Sequence, residues 1–153
     1  MAGTEGDPLL ARLEALFKAL MAKNLPGIEA CYLNEPTLLV FLEGPRSLNV
    51  GWEKIRIGWQ HFMEAPMRLE NVEWGDDRLV RVRGEAGFVA STNSYTWRTG
   101  EKSLTVEMRA TWAMERVAGT WRIVHEHVSL PHPDPYGTGD WMSPTRGGAF
   151  VPD

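Results

Sequence analysis

The sequence predicts an α+β fold: about three N-terminal helices packed on one face of a curved, mostly antiparallel sheet. Three observations carry this. Apolar residues recur at helical spacing in separate stretches before Pro66. After Pro66 the apolar period changes to two, the period of strands. The last two β-rich runs, within 104–131, are joined by a short turn at Ala118-Gly119, the pattern of a hairpin.

The elements follow in order. Asp7-Pro8 has the form of a helix start, with Asp as N-cap and Pro at the first helical position. Leu9, Leu10, Leu13, Leu16, Phe17, Leu20 and Met21 then form one apolar stripe, ending near Lys23-Asn24. Pro26 opens a second short helix, with Ile28, Cys31 and Tyr32 on its buried side. Asn34-Glu35-Pro36 breaks the chain, and residues 37–42 form a short apolar strand before a loop at 44–47. Trp52, Ile55, Trp59, Phe62 and Met63 mark a third helix, ending before Pro66. Residues 67–74 form a strand, Gly75-Asp76-Asp77 a turn, and Leu79, Val80 and Val82 start the next extended run. Residues 86–97 form a long strand that turns at Thr99-Gly100-Glu101 into the hairpin, whose strands are 106–115 and 121–129. Residues 1–6 are small and polar, which predicts disorder. Residues 132–153 hold prolines and glycines in place of a periodic pattern and form an extended tail. One domain is thus expected over 7–131.

Composition narrows the function classes. A chain of 153 residues, 43% hydrophobic and 24% charged, is an ordinary single globule that needs no staple. Its net charge of −4 and its interleaved basic and acidic residues give no nucleic-acid footprint. No apolar run approaches the roughly 20 residues of a membrane span, so no membrane partner is expected. A single cysteine and the absence of a leader-like N-terminus predict a cytoplasmic protein. Seven tryptophans supply aromatic surface for a core, a pocket or an interface.

The element order, together with Gly51-Trp52-Glu53-Lys54-Ile55, Arg109-Ala110-Thr111 and the ending Trp121-Arg122-Ile123-Val124-His125-Glu126-His127-Val128-Ser129, resembles the SnoaL-like branch of the nuclear-transport-factor-2-like superfamily. The resemblance covers roughly residues 9–131. It implies a cone, a cystatin-like roll: a strongly bent sheet wrapped around the helices, with a pocket open at one end. Members commonly dimerise on the convex face. In the related ketosteroid isomerases a tyrosine holds the oxyanion and an aspartate is the base. The matching positions here are Leu16 and Val40, which can neither donate a hydrogen bond nor take a proton. The kinase association domain is also similar, and its two pocket arginines fall on Trp112 and Val128. That comparison implies that Trp112, Glu126 and Val128 share the pocket side.

The candidate site residues divide by face. His125 and His127 stand two apart on one strand, so they share a face, roughly 6.5–7 Å apart along it. That spacing suits a metal, but a third ligand is needed. Arg109 and Thr111 on the neighbouring strand offer none, and only Glu107 or Glu115 could serve. These four residues are therefore assigned to an interface or alternative site on the convex face, with no metal and no cofactor expected. Glu126 points the other way, expected to be with Arg122, Val124 and Val128, while Trp121 and Ile123 go with the histidines. A carboxylate in an apolar cone would have a raised pKa and could act as general acid or base; an ion pair with Arg122 or Arg109 is the structural alternative. Thr92 and Ser94 would add hydroxyls to the pocket, or Tyr95 and Trp97 would replace them if the register is shifted by one. Trp52 and Trp59, one heptad apart, line either the core or the pocket wall. Cys31 is expected in the core.

Two functions are compatible with this reading. One is a small-molecule pocket for an apolar or aromatic molecule, with Glu126 in acid/base chemistry of the isomerase, dehydratase or cyclase type. The other is a non-catalytic dimeric binding or assembly module. A homodimer is expected in both.

Overall fold

A computed structural model describes residues 7–43 and 48–131. The expectations for residues 1–6, for the loop at 44–47 and for the tail at 132–153 lie outside the described residues.

The N-terminal part is α1 (Asp7–Met21), α2 (Leu25–Glu29), β1 (Leu39–Phe41), β2 (Asn49–Val50) and α3 (Trp52–Glu64). Five strands follow: β3 (Arg68–Trp74), β4 (Leu79–Arg83), β5 (Ala86–Thr99), β6 (Lys102–Val117) and β7 (Thr120–Ser129). Asn24 caps α2 by accepting a hydrogen bond from the Gly27 N–H at 3.2 Å, and proline stands in its first turn.

The sheet runs β2-β1-β7-β6-β5-β3, with β4 also paired to β5. It is curved and unclosed, with the helices on its concave side: the α+β architecture that the sequence predicts. Neighbouring strands are antiparallel except β1 and β7, which pair in parallel through Leu39–His125, Val40–Glu126 and Phe41–His127. The β6–β7 connection is a two-residue turn in which Ala118 (φ 50°) and Gly119 (φ 79°) are both left-handed. Its backbone twist matches that of the flanking strands, and glycine adopts it without steric cost.

The core fills the concavity. Leu9, Leu13, Leu16, Phe17 and Leu20 of α1 are buried against Val89, Trp112, Met114 and Ile123 of the sheet. Each fully buried leucine contributes about 2 kcal/mol relative to an exposed one. Phe17 packs on Trp74, Tyr95 and Trp112, with ring centroids 5.4, 6.1 and 5.8 Å away. Glycine is required at Gly87, where a Cβ would stand 2.6 Å from the Arg81 carbonyl oxygen and 2.9 Å from Leu9 Cδ2.

Two bulges set which side chains face the core. Between β3 and β5 the register shifts across Leu69 and Asn71. Between β6 and β7 it shifts so that Ala113 pairs with His125 and Met114 with Ile123, leaving Val124 as an extra residue. A bulge breaks the strict alternation of a strand. Trp121 and Ile123 are therefore buried on the same side as Glu126 and Val128, while Arg122 lies outside. This corrects the expectation that Trp121 and Ile123 share a face with the histidines and that Arg122 and Val124 share one with Glu126.

Candidate functional site

A cavity of about 720 Å³ opens between α3, α1 and the concave face of β1, β5, β6 and β7. Its walls are mainly apolar: Leu16, Leu20, Ile55, Trp59, Phe62, Leu69, Trp97, Met108 and Val128. The polar groups are few. Lys54 and His61 come from α3, Glu43 follows β1, Asn49 belongs to β2, Tyr95 to β5, and Glu126 to β7.

Glu126 is 5% exposed, which makes it a buried carboxylate in an apolar hollow. Tyr32, fully buried just beyond α2, donates its hydroxyl hydrogen to Glu126 Oε2 at 2.5 Å. The backbone brings the two together. Ile123 N–H donates to the Cys31 carbonyl and Leu33 N–H to the Ile123 carbonyl, both at 2.9 Å, so the segment around Tyr32 is bound to β7 beside Glu126. The Tyr32 ring lies between Trp52 (5.9 Å) and Trp59 (6.2 Å), which fixes its direction.

These surroundings shift the proton affinities. Burial is the largest influence on Glu126 and pushes its pKa from 4.5 to about 7. The Tyr32 hydroxyl works against burial by stabilising the charged form, and Glu43 adds a smaller upward push. The Trp112 indole also favours the carboxylate electrostatically, although Trp112 Nε1 makes no hydrogen bond of normal geometry. Burial, then the nearby Glu126 charge, holds the Tyr32 phenol well above its usual range. At neutral pH the pair therefore carries a phenol that keeps its proton and a carboxyl poised between its two states.

The sequence-derived candidates separate cleanly. Trp59, Glu126 and Val128 line the cavity. Trp52 and Trp112 are buried on the same side but behind the lining, Trp52 against Tyr32 and Trp112 against Phe17 and Trp74. Thr92 and Ser94 face away from it, which corrects their placement. On β5 the buried positions are Val89, Ser91, Asn93 and Tyr95, so the one-residue alternative holds and Tyr95 and Trp97 reach the cavity. Thr92 instead meets Asp77, its N–H donating to Oδ1 at 2.9 Å and its hydroxyl to Oδ2 at 2.8 Å.

Arg109, Thr111 and His127 surround a shallow depression on the convex face with Asp77 and Thr92. Arg109 donates to the Ser129 hydroxyl at 3.0 Å. His125 Nδ1 lies 3.0 Å from the Leu39 carbonyl oxygen, at the β1–β7 seam. Among the described residues no three His, Cys, Asp or Glu side chains gather into a metal site. Arg122 reaches the Ala30 and Tyr32 carbonyls, and among the described residues Glu126 has no ion-pair partner.

Sequence reasoning missed Tyr32 as the partner of Glu126, because 94 positions separate them. It also passed over His61, Lys54 and Glu43 at the cavity. Their positions on or beside elements that point inward are the only signal that the sequence offers. Leu16 and Val40, the positions matched to the isomerase tyrosine and aspartate, both line the cavity and are both apolar.

The bent, unclosed sheet that forms a cavity with its helices has the fold of the nuclear-transport-factor-2-like class. Solved structures agree. The chain is similar to an NTF2-like protein of unknown function from Pseudomonas putida KT2440, at 22% identity and TM-score 0.70 over 85% of this chain and 89% of that one. It is similar to an NTF2-like superfamily protein from Salmonella enterica serovar Typhimurium, at 17% identity and TM-score 0.72 over 86% and 94%. It is also similar to a ketosteroid isomerase-like protein from Erwinia carotovora atroseptica, at 16% identity and TM-score 0.69 over 86% and 99%. At such identities the likeness is one of fold alone. No curated protein sequence matches the chain. Within the class the chain belongs to the SnoaL-like domain family, whose pattern matches residues 9–133. Among the described residues no helix is long and apolar enough to cross a membrane.

Proposed function

We propose that the cavity binds an apolar or aromatic small molecule carrying one polar oxygen, and that Glu126 moves a proton to or from it. The observation that carries this reading is one carboxyl, buried in a mostly apolar cavity, with its pKa raised to about 7 by burial. A group poised near neutral pH serves equally as proton acceptor and donor, which is what isomerisation, dehydration and aldol-type cyclisation require. Tyr32 is a positioning residue: it holds one carboxylate oxygen and leaves the other free for the ligand. With Leu16 and Val40 in place of the isomerase pair, Glu126 on β7 is the buried carboxyl left to take that role.

Proton transfer is testable without knowing the natural substrate. A bound ketone whose carbon acid faces Glu126 exchanges that hydrogen for solvent deuterium faster than in water, read by proton NMR. Glu126→Gln abolishes the acceleration while ligand binding persists. Equal exchange rates in the two proteins would remove Glu126 from the chemistry.

The exposed depression around Arg109, Thr111 and His127 favours a second role for the convex face, as the contact between two copies of the chain. Light scattering at micromolar concentration tests it: a dimer that His127→Glu dissociates is expected, and a monomer of the parent protein would refute it.

A further inference from the structure

Gly58 stands in the interior of α3, where glycine is the least favourable residue after proline. A glycine in such a place ordinarily answers a backbone or packing demand. Neither is present. Its backbone is not among the left-handed residues. Among the described residues, a Cβ built on it would meet nothing within 4 Å, so no neighbouring element approaches too closely for a side chain. Gly58 nevertheless lines the cavity, as do Lys54, Ile55, His61 and Phe62, the residues three and four positions away on either side. It is a bare, exposed position at the cavity mouth, where Lys54, Ile57 and His61 are exposed too, while Ile55 below it is buried. Beside it, Ile57 also lines the cavity and is 52% exposed, leaving an apolar rim in contact with water.

We propose that Gly58 is a specificity-determining residue of the cavity: the missing side chain is the gap through which a broad, uncharged ring system reaches from the α3 face toward Glu126. This inference rests on the small-molecule reading of the cavity. The gap sets the girth of the ligand, and the apolar rim at Ile57 receives the part that stays outside. A side chain at position 58 would project from the rim across that opening. Helix stability would tolerate or gain from the change, so selection for stability alone does not account for a glycine there.

Two neutral fluorescent probes of different width test it: the slim naphthalene ketone prodan and the broader, fused-ring Nile red. Binding is followed by emission shift for the parent, Gly58→Ala and Gly58→Leu, with circular dichroism and thermal melts confirming that each is folded. The parent is expected to bind both. Gly58→Leu is expected to lose at least tenfold in affinity for Nile red and to stay within about twofold for prodan, while Gly58→Ala, which adds one carbon but raises helical preference much as leucine does, changes both far less. Three outcomes would overturn the proposal: Gly58→Leu binding both probes like the parent, Gly58→Leu weakening both equally, or Ala and Leu weakening Nile red to the same degree, which would trace the effect to helix stiffness and not to bulk. A parent protein that binds neither probe, at any concentration below their solubility limits, overturns the small-molecule reading and the role of Gly58 with it.

Discussion

Replacing Glu126 with Gln gives the most direct physical test of the site. The carboxyl is buried, and its pKa rises from 4.5 to about 7 on folding. A group whose folded pKa is raised stabilises the fold at low pH and loses that contribution as pH climbs through the folded value. Each tenfold change in proton affinity is worth about 1.4 kcal/mol, so the full difference is about 3 kcal/mol. Roughly 2.5 kcal/mol of it is lost between pH 5 and pH 9. Gln has the same shape, stays neutral, and its carbonyl can still accept from the Tyr32 hydroxyl. The parent should therefore lose stability relative to Glu126→Gln as pH rises from 5 to 9, while contributions from every other titrating group cancel between the two proteins. Urea unfolding followed by tryptophan fluorescence reads this directly. With a slope of about 2–3 kcal/mol/M, the difference in midpoints changes by roughly 1 M across the range. Parallel pH curves for the two proteins would show that Glu126 meets water freely, and the argument for a poised proton would collapse.

Three further changes follow from the packing. Tyr32→Phe removes the donor that stabilises the Glu126 carboxylate, so it should cost about 1.5–3 kcal/mol at pH 9, less at pH 5, and move the stability transition upward in pH; the same urea titration measures it. Trp112→Ala empties a fully buried site between Phe17 and Trp74 and should cost about 3–5 kcal/mol, read as a lowered urea midpoint at fixed slope. Gly87→Ala forces a methyl against the Arg81 carbonyl and Leu9, and should cost about 1–3 kcal/mol although it would gain strand propensity; a thermal melt at or above that of the parent would refute the close approach.

Much of the fold was legible because its signals are local. The 3.6-residue stripe of α1, the switch to period two after Pro66 and the Ala118-Gly119 turn each occupy a few adjacent residues. What was hidden depends on pairing over long distances. The two residues of β2 are too short to carry any period, and β1 reveals its parallel partner only when β7 lies beside it. Thr92 and Ser94 were placed by an assumed register, and alternation alone fits both choices on β5 because polar and apolar residues occur on each face. The bulge at Val124 has no residue signature: no Gly or Pro marks it, and Val is an ordinary strand former. That bulge does not disturb the separation of Glu126 from His125 and His127, which alternate beyond it, so the division of the His-Glu-His cluster was readable even though the faces of Trp121 and Ile123 were not.

The energetics of Glu126 support the proposed role more strongly than its position does. A buried carboxyl near the end of a cavity costs stability at every pH where it is charged, and a Gln or Met of similar volume would avoid that cost. Even carboxylates that meet water are paired with arginine here, Glu29 with Arg56 and Glu85 with Arg116. Among the described residues Glu126 has the Tyr32 hydroxyl and the Trp112 indole, both neutral. This partial compensation is what leaves the pKa near 7: a guanidinium beside it would restore an ordinary carboxylate, and a fully apolar shell would keep it protonated. The neutral partner is itself built in, since Tyr32 is clamped by two tryptophan rings and by backbone hydrogen bonds to β7. A packing residue needs none of this apparatus; the proton transfer proposed for Glu126 would use all of it.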